Sequence, residues 1–119
     1  MIRFNVFSEV PGAIRRFIFD LKRYIGWIPY RIKHGFFPDD LWGLNSTIIK
    51  FTLPRLKEFR RNVHDYPCDL NNTAEWQAVL DEIIWAFENY DELPADKEVW
   101  ARFDKAMDFW GKYFCDLWY

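Results

Sequence analysis

Four stretches of this chain repeat large apolar side chains at steps of three and four residues, and that spacing decides what the chain can fold into. The first runs through Ile14, Phe17, Ile18, Leu21, Ile25 and Ile28, and the second through Leu41, Leu44, Ile48, Thr52, Leu56 and Phe59. The third takes in Trp76, Leu80, Ile83 or Ile84, Phe87 and Tyr90, and the fourth Val99, Phe103, Ala106, Trp110, Tyr113 or Phe114, and Leu117. Residues so spaced share one side of an α-helix, and that side must be covered in water. Only the start alternates as a strand would, with Ile2, Phe4 and Val6 set against Arg3 and Asn5. One strand makes no sheet, so an arm reaching to Val10 is expected instead. The pattern predicts an all-α fold, a compact bundle of four to five helices with an extended N-terminal arm, with residues 1–119 as a single helical domain.

Punctuation residues set the expected boundaries. Pro11 suits a first helical turn, having no N–H to leave unpaired. Helix one should run to about Gly26, with Pro29 disturbing the residues after it, and Gly35 suits a left-handed cap. Pro38-Asp39-Asp40 should open the next helix, because acids complement the exposed N–H groups there. Gly43 and Asn45-Ser46 divide that helix into a short piece and a long one. The long piece contains Pro54, where a kink is expected, and ends near Asn62. Asn72-Thr73-Ala74-Glu75 reads as a capping box with Asn72 in the cap position. Pro94 is expected to open the last helix.

Aromatic residues make up 21% of the chain, with 7 Trp, 6 Tyr and 12 Phe. A core is filled with less trouble by Leu, Ile and Val, since Trp and Tyr carry polar handles that need partners. Some rings are therefore expected to face a ligand, a partner or a second subunit, which implies a homo-oligomer. Charge is also unevenly placed. Residues 1–35 hold seven bases against two acids, a net of +5, while residues 66–119 hold four bases against twelve acids, a net of −8. The two halves can pair with each other, or leave a basic face for an anion.

The outer face of helix one and its extension is the leading candidate site. Arg16, Phe19, Arg23, Trp27 and Tyr30 follow one another at steps of three or four, opposite the Ile14/Phe17/Leu21 stripe. Arg31 and Lys33 add support. Guanidinium groups hold phosphates in fork geometry and rings stack on bases, so the face suits a nucleotide-like anion, an acidic peptide or nucleic acid. The competing reading is an ordinary solvated basic face with Phe19 packed on a neighbour. A membrane-surface helix is disfavoured because the bundle needs the apolar side of helix one. Phe36 and Phe37 could anchor a partner, but a staple, with Phe36 or Phe37 packing back on Leu41 or Trp42, is the favoured account.

Other chemistry finds little support. His34, His64, Cys68 and Cys115 do not form the two tight pairs of a structural zinc site, so no metal is expected, and Cys115 reads as a small buried hydrophobe. Asp39-Asp40, Asp81-Glu82 and Asp91-Glu92 are adjacent acids, which diverge by about 100° on a helix and do not converge as an acid/base pair. The spacing of Glu88 from Trp85 could place it beneath that ring. No catalytic triad order, Gly-rich phosphate loop or His-Glu-x-x-His occurs, so no enzyme and no cofactor is expected. Both cysteines read as reduced thiols of a cytosol. The start lacks an apolar leader pattern, and no apolar run reaches a membrane span, so no membrane partner is expected.

Gly35-Phe36-Phe37-Pro38-Asp39-Asp40-Leu41-Trp42-Gly43-Leu44, continuing to Leu53-Pro54-Arg55-Leu56, forms one distinctive stretch. Tyr66-Pro67, Glu75-Trp76 and Ile84-Trp85-Ala86-Phe87-Glu88 form another. Together they resemble an uncharacterised family of small bacteriophage-encoded helical proteins, over residues 30–90. The resemblance implies a phage setting and the host bacterial cytoplasm; it assigns no activity and no site residues. The expected function is a non-enzymatic phage protein that binds a host molecule and counteracts bacterial immunity by sequestering a nucleotide-derived signal. Its partner would be that host small-molecule signal or a host defence protein, with nucleic acid disfavoured. The alternatives are a protein-binding inhibitor acting through the acids Asp81, Glu82, Glu88, Asp96, Asp104 and Asp108, or a virion or packaging component.

Overall fold

A computed structural model describes residues 11–118, and the expected arm at residues 1–10 lies outside them. Five α-helices follow one another, and no strand occurs among the described residues. They are α1 (Gly12–Gly26), α2 (Ile28–His34), α3 (Leu44–Asn62), α4 (Thr73–Asn89) and α5 (Lys97–Tyr113). Short 3-10 turns occur at Pro38–Leu41, Tyr90–Glu92 and Phe114–Asp116. The fold is all-α, as the apolar spacing predicts. The chain divides into two compact units, the first ending at Leu44 and the second starting at Asn45.

In the first unit, Pro11 is the residue ahead of α1, and its carbonyl accepts from the Ile14 and Arg15 amides at 3.0 Å. Trp27 keeps a right-handed helical backbone between α1 and α2. Pro29 then falls in the first turn of α2, where its missing N–H costs nothing. It opens a second helix rather than disturbing the residues after it. Gly35 adopts φ 84°, and its amide donates to the Arg31 carbonyl at 2.7 Å, the left-handed cap expected of it. The basic residues Arg31, Lys33 and His34 occupy the last turn of α2, which complements the negative end of the helix.

The second unit holds the apolar core. Leu56, Val63, Trp76, Val79, Leu80, Ile83, Phe87 and Tyr113 are buried together, with Ile49, Phe59 and Trp110 among the residues packed against them. Trp76, Leu80 and Ile83 lose almost all contact with solvent, and each such side chain contributes about 1.5–3 kcal/mol of transfer free energy. They fall on the α4 stripe, which is the most deeply covered of the four. Pro54 lies inside α3, which continues past it to Asn62.

The helix starts reflect local chemistry. The Asn72 side chain accepts from the Glu75 amide at 2.8 Å. The Glu75 carboxylate accepts from the Asn71 amide at 2.9 Å, one residue ahead of the cap. α5 starts later than Pro94: Asp96 is its cap and accepts from the Glu98 amide at 2.8 Å. Pro94 instead turns the chain, its carbonyl accepting from the Asp96 amide. A carboxylate takes an orphan helix donor, which a proline ring cannot do. On α5, Tyr113 rather than Phe114 is buried. Cys115 is exposed, not a core residue, because it sits in the 3-10 turn after α5 and leaves the helical stripe.

Candidate anion-binding face

The side of α1 that the first unit covers is the aromatic one. Gly35 reverses the chain, and residues 36–42 return rings to the helices. Tyr24 meets Phe37 edge-on at 5.1 Å, and Trp27 meets Trp42 at 5.5 Å. The Tyr24 hydroxyl donates to an Asp39 carboxylate oxygen at 2.5 Å, and that bond, with burial second, raises the Tyr24 pKa. Phe36 packs on Tyr30, and Phe37 on Tyr24.

Arg23 lies half-buried against this cluster. Its guanidinium carbon lies 5.8, 5.3 and 5.7 Å from the ring centres of Tyr24, Trp27 and Trp42. Its Nη2 donates to Asp20 at 3.2 Å. Ring faces are electron-rich, so a cation among three of them is stabilised without leaving the protein. Tyr30 lies against His34 at 4.2 Å, and Arg31 lies over Phe37 at 5.5 Å.

The aliphatic side of α1 is the exposed one. Ile14, Phe17, Leu21 and Ile25 are about half exposed or more, and neither α1 nor α2 has a buried residue. This corrects the expectation that Ile14, Phe17 and Leu21 face a core. The reason lies in the returning segment, which offers rings and a carboxylate. Rings meet rings there, and Tyr24 also satisfies its hydroxyl on Asp39.

The seven predicted site residues therefore separate. Arg23, Trp27, Tyr30 and Arg31 belong to the ring clusters of the first unit. Arg16 and Phe19 line an open cleft of about 410 Å³ with Arg15, Ile18 and Lys22. Lys33 is exposed on α2. Phe19 remains 66% exposed, so its ring can still take a planar ligand, with cations at hand for phosphate. Arg15 and Lys22 are the members that sequence reasoning missed. They flank Phe19 at four residues before and three after, as Arg16 does at three before, and those are the steps at which helical side chains become neighbours.

The acidic surface of the alternative reading is largely engaged. Asp81 accepts two bonds from Arg60, at 2.9 and 3.1 Å, and Glu82 two from Arg102 at the same distances. Glu88 pairs with Lys57 at 2.8 Å. The Arg102 guanidinium lies over the Trp85 ring at 3.8 Å. Asp96 caps α5, while Asp104 and Asp108 are exposed. The adjacent acids Asp81 and Glu82 point to separate partners and form no acid/base pair.

A second, smaller cleft of about 130 Å³ lies in the second unit beside His64, Asp65 and Asp116, walled by Trp76 and Trp118. The His64 Nδ1 is 3.0 Å from the Asn62 carbonyl oxygen; a proton on that nitrogen makes the contact a hydrogen bond. Among the described residues no three His, Cys, Asp or Glu side chains group to hold a metal ion. No helix there is long and apolar enough to cross a membrane. Compared with protein-family models, curated proteins and solved structures, the chain matches none.

Proposed function

We propose that this chain is a non-enzymatic phage protein that binds a host molecule in the bacterial cytoplasm, and that its ligand is a nucleotide-derived immune signal. The observation that carries the reading is the exposed Phe19 ring set among Arg15, Arg16 and Lys22 in one open cleft. A base stacks on an aromatic ring, and guanidinium groups take phosphate oxygens in paired hydrogen bonds. The phage setting comes from the resemblance of residues 30–90. Arg23, Trp27, Tyr30 and Arg31 support the ligand-bearing helix from behind, and Lys33 extends its positive field. Binding between copies of the chain would bring two such clefts together around a symmetric ligand.

The test is titration calorimetry of the full chain with cyclic dinucleotides and with ADP-ribose-type signals at low salt. Binding should weaken at least about tenfold in Arg16→Glu and in Phe19→Ala, as expected for loss of a charge-assisted bond or a stacking platform. If no member of either ligand class gives heat, the nucleotide reading is lost.

A further inference from the structure

α1 and α2 carry a second feature that the anion-binding cleft does not use. Ile14, Phe17, Leu21, Ile25, Ile28 and Ile32 continue one helical spacing from Gly12 to His34, across the join at Trp27. Their exposures are 49, 66, 48, 55, 46 and 79%. Leaving that much apolar surface in water is unfavourable, and contiguous patches of this kind mark interaction surfaces. We propose that this stripe docks flat on the surface of an anionic lipid bilayer.

Charge selects the lipid surface over an apolar protein groove. Between Gly12 and His34 the chain holds Arg15, Arg16, Lys22, Arg23, Arg31 and Lys33 against Asp20 alone. Asp20 is itself paired with Arg23. Arg15, Lys22 and Lys33 fall about a quarter-turn to one side of the stripe by helical spacing. Their long stems can lie along the apolar surface while the charged ends reach phosphate headgroups. A helix with an apolar face, a basic polar face and little net hydrophobicity lies in the interface plane instead of crossing it, and no described helix is suited to crossing. Nothing in a purely apolar partner groove would call for three cations, Arg15, Lys22 and Lys33, along one flank of the stripe. The same phosphate chemistry serves the nucleotide reading, but the apolar stripe does not, and that difference separates the two.

The test is co-sedimentation of the full chain with vesicles of phosphatidylcholine mixed with phosphatidylglycerol, against vesicles of phosphatidylcholine alone. The chain should pellet with the mixed vesicles at least about tenfold more tightly than with the neutral ones, and added salt should weaken this. Leu21→Gln combined with Ile25→Gln, which removes apolar surface without adding charge, should weaken pelleting at least about tenfold while leaving helical circular dichroism unchanged, since both positions are exposed. It should also leave nucleotide calorimetry unchanged, so failure here and failure of the nucleotide reading are told apart. Three outcomes each overturn the proposal. The first is wild-type chain that stays in the supernatant with the mixed vesicles. The second is a double variant that pellets like wild type. The third is full displacement of the chain by inorganic phosphate matched to the headgroup concentration, which would mean that headgroup charge alone is being read. A chain that self-associates through Leu21 and Ile25 and ignores vesicles counts with the first of these.

Discussion

The Tyr113 hydroxyl donates to an Asp69 carboxylate oxygen at 2.8 Å, and Lys112 Nζ approaches the same oxygen at 3.1 Å. The three groups join the last turn of α5 to the loop ahead of α4. The Tyr113 bond, and then the Lys112 bond, hold Asp69 below the ordinary carboxylate range. Burial, and then Asp69, push the Tyr113 phenol up.

These shifts predict opposite behaviour at the two ends of the pH scale. Asp69 is depressed in the fold, so its contribution is complete above about pH 4 and is lost as pH falls through the folded value. Tyr113 is raised, so its contribution is complete below about pH 10 and is lost as pH rises through the folded value. Thermal melts across pH on wild type and Asp69→Asn check this. The variant should lose part of the acid-side slope, and parallel acid-side slopes would refute the assignment.

The core of the second unit should be sensitive at Leu80, which has no solvent exposure. Leu80→Ala removes three carbons and leaves a void among Trp76, Ile83 and their neighbours. The expected loss is about 2–5 kcal/mol in urea unfolding, with an unchanged denaturant slope. A loss below about 1 kcal/mol would mean that the site collapses around the smaller side chain.

Asn72 can be tested separately from packing. Asn72→Ala removes the acceptor for the Glu75 amide and should cost about 1 kcal/mol. Asn72→Asp keeps the acceptor and adds charge at the positive end of α4, so it should match wild type or exceed it. Equal losses in both variants would show that the cap bond is not what Asn72 supplies.

Arg23 is expected to report structure more than binding. Arg23→Ala should reduce the near-ultraviolet circular dichroism of the Trp27 and Trp42 rings it lies among, and Arg23→Lys should restore only part of it, lacking the planar guanidinium. Arg16→Glu should leave that spectrum intact and act on ligand calorimetry alone. An unchanged spectrum in Arg23→Ala would remove the cation from the cluster's stability.

Much of the fold is written in local chemistry. Gly35 had to take a left-handed backbone to stop α2, and Asn72 with Glu75 marks the start of α4 within a few residues. The stripe from Trp76 to Phe87 is buried as its spacing predicts, because those positions share one side of α4 whatever packs against it. The covered side of α1 was not legible in the same way. That helix has an aliphatic side and an aromatic one, and the choice rests on what residues 36–42 bring back to it. Spacing within α1 holds no information on that. The same holds for Glu88, whose ion pair with Lys57 on α3 depends on packing between helices. Arg15 and Lys22 were within reach, since Phe19 has cations at the helical steps on both sides.

The absence of any buried side chain from α1, α2 and the Pro38–Leu41 turn has a consequence for the backbone itself. Amide protons there are held by helical hydrogen bonds with no sealed interior beneath them, so brief openings expose them to deuterium at little cost. Around Leu80 and Ile83, exchange must wait for an opening close to global unfolding. A single exchange time course would therefore separate into two rates, and slowing of the fast one on addition of a ligand or a lipid surface would show which of them α1 has found.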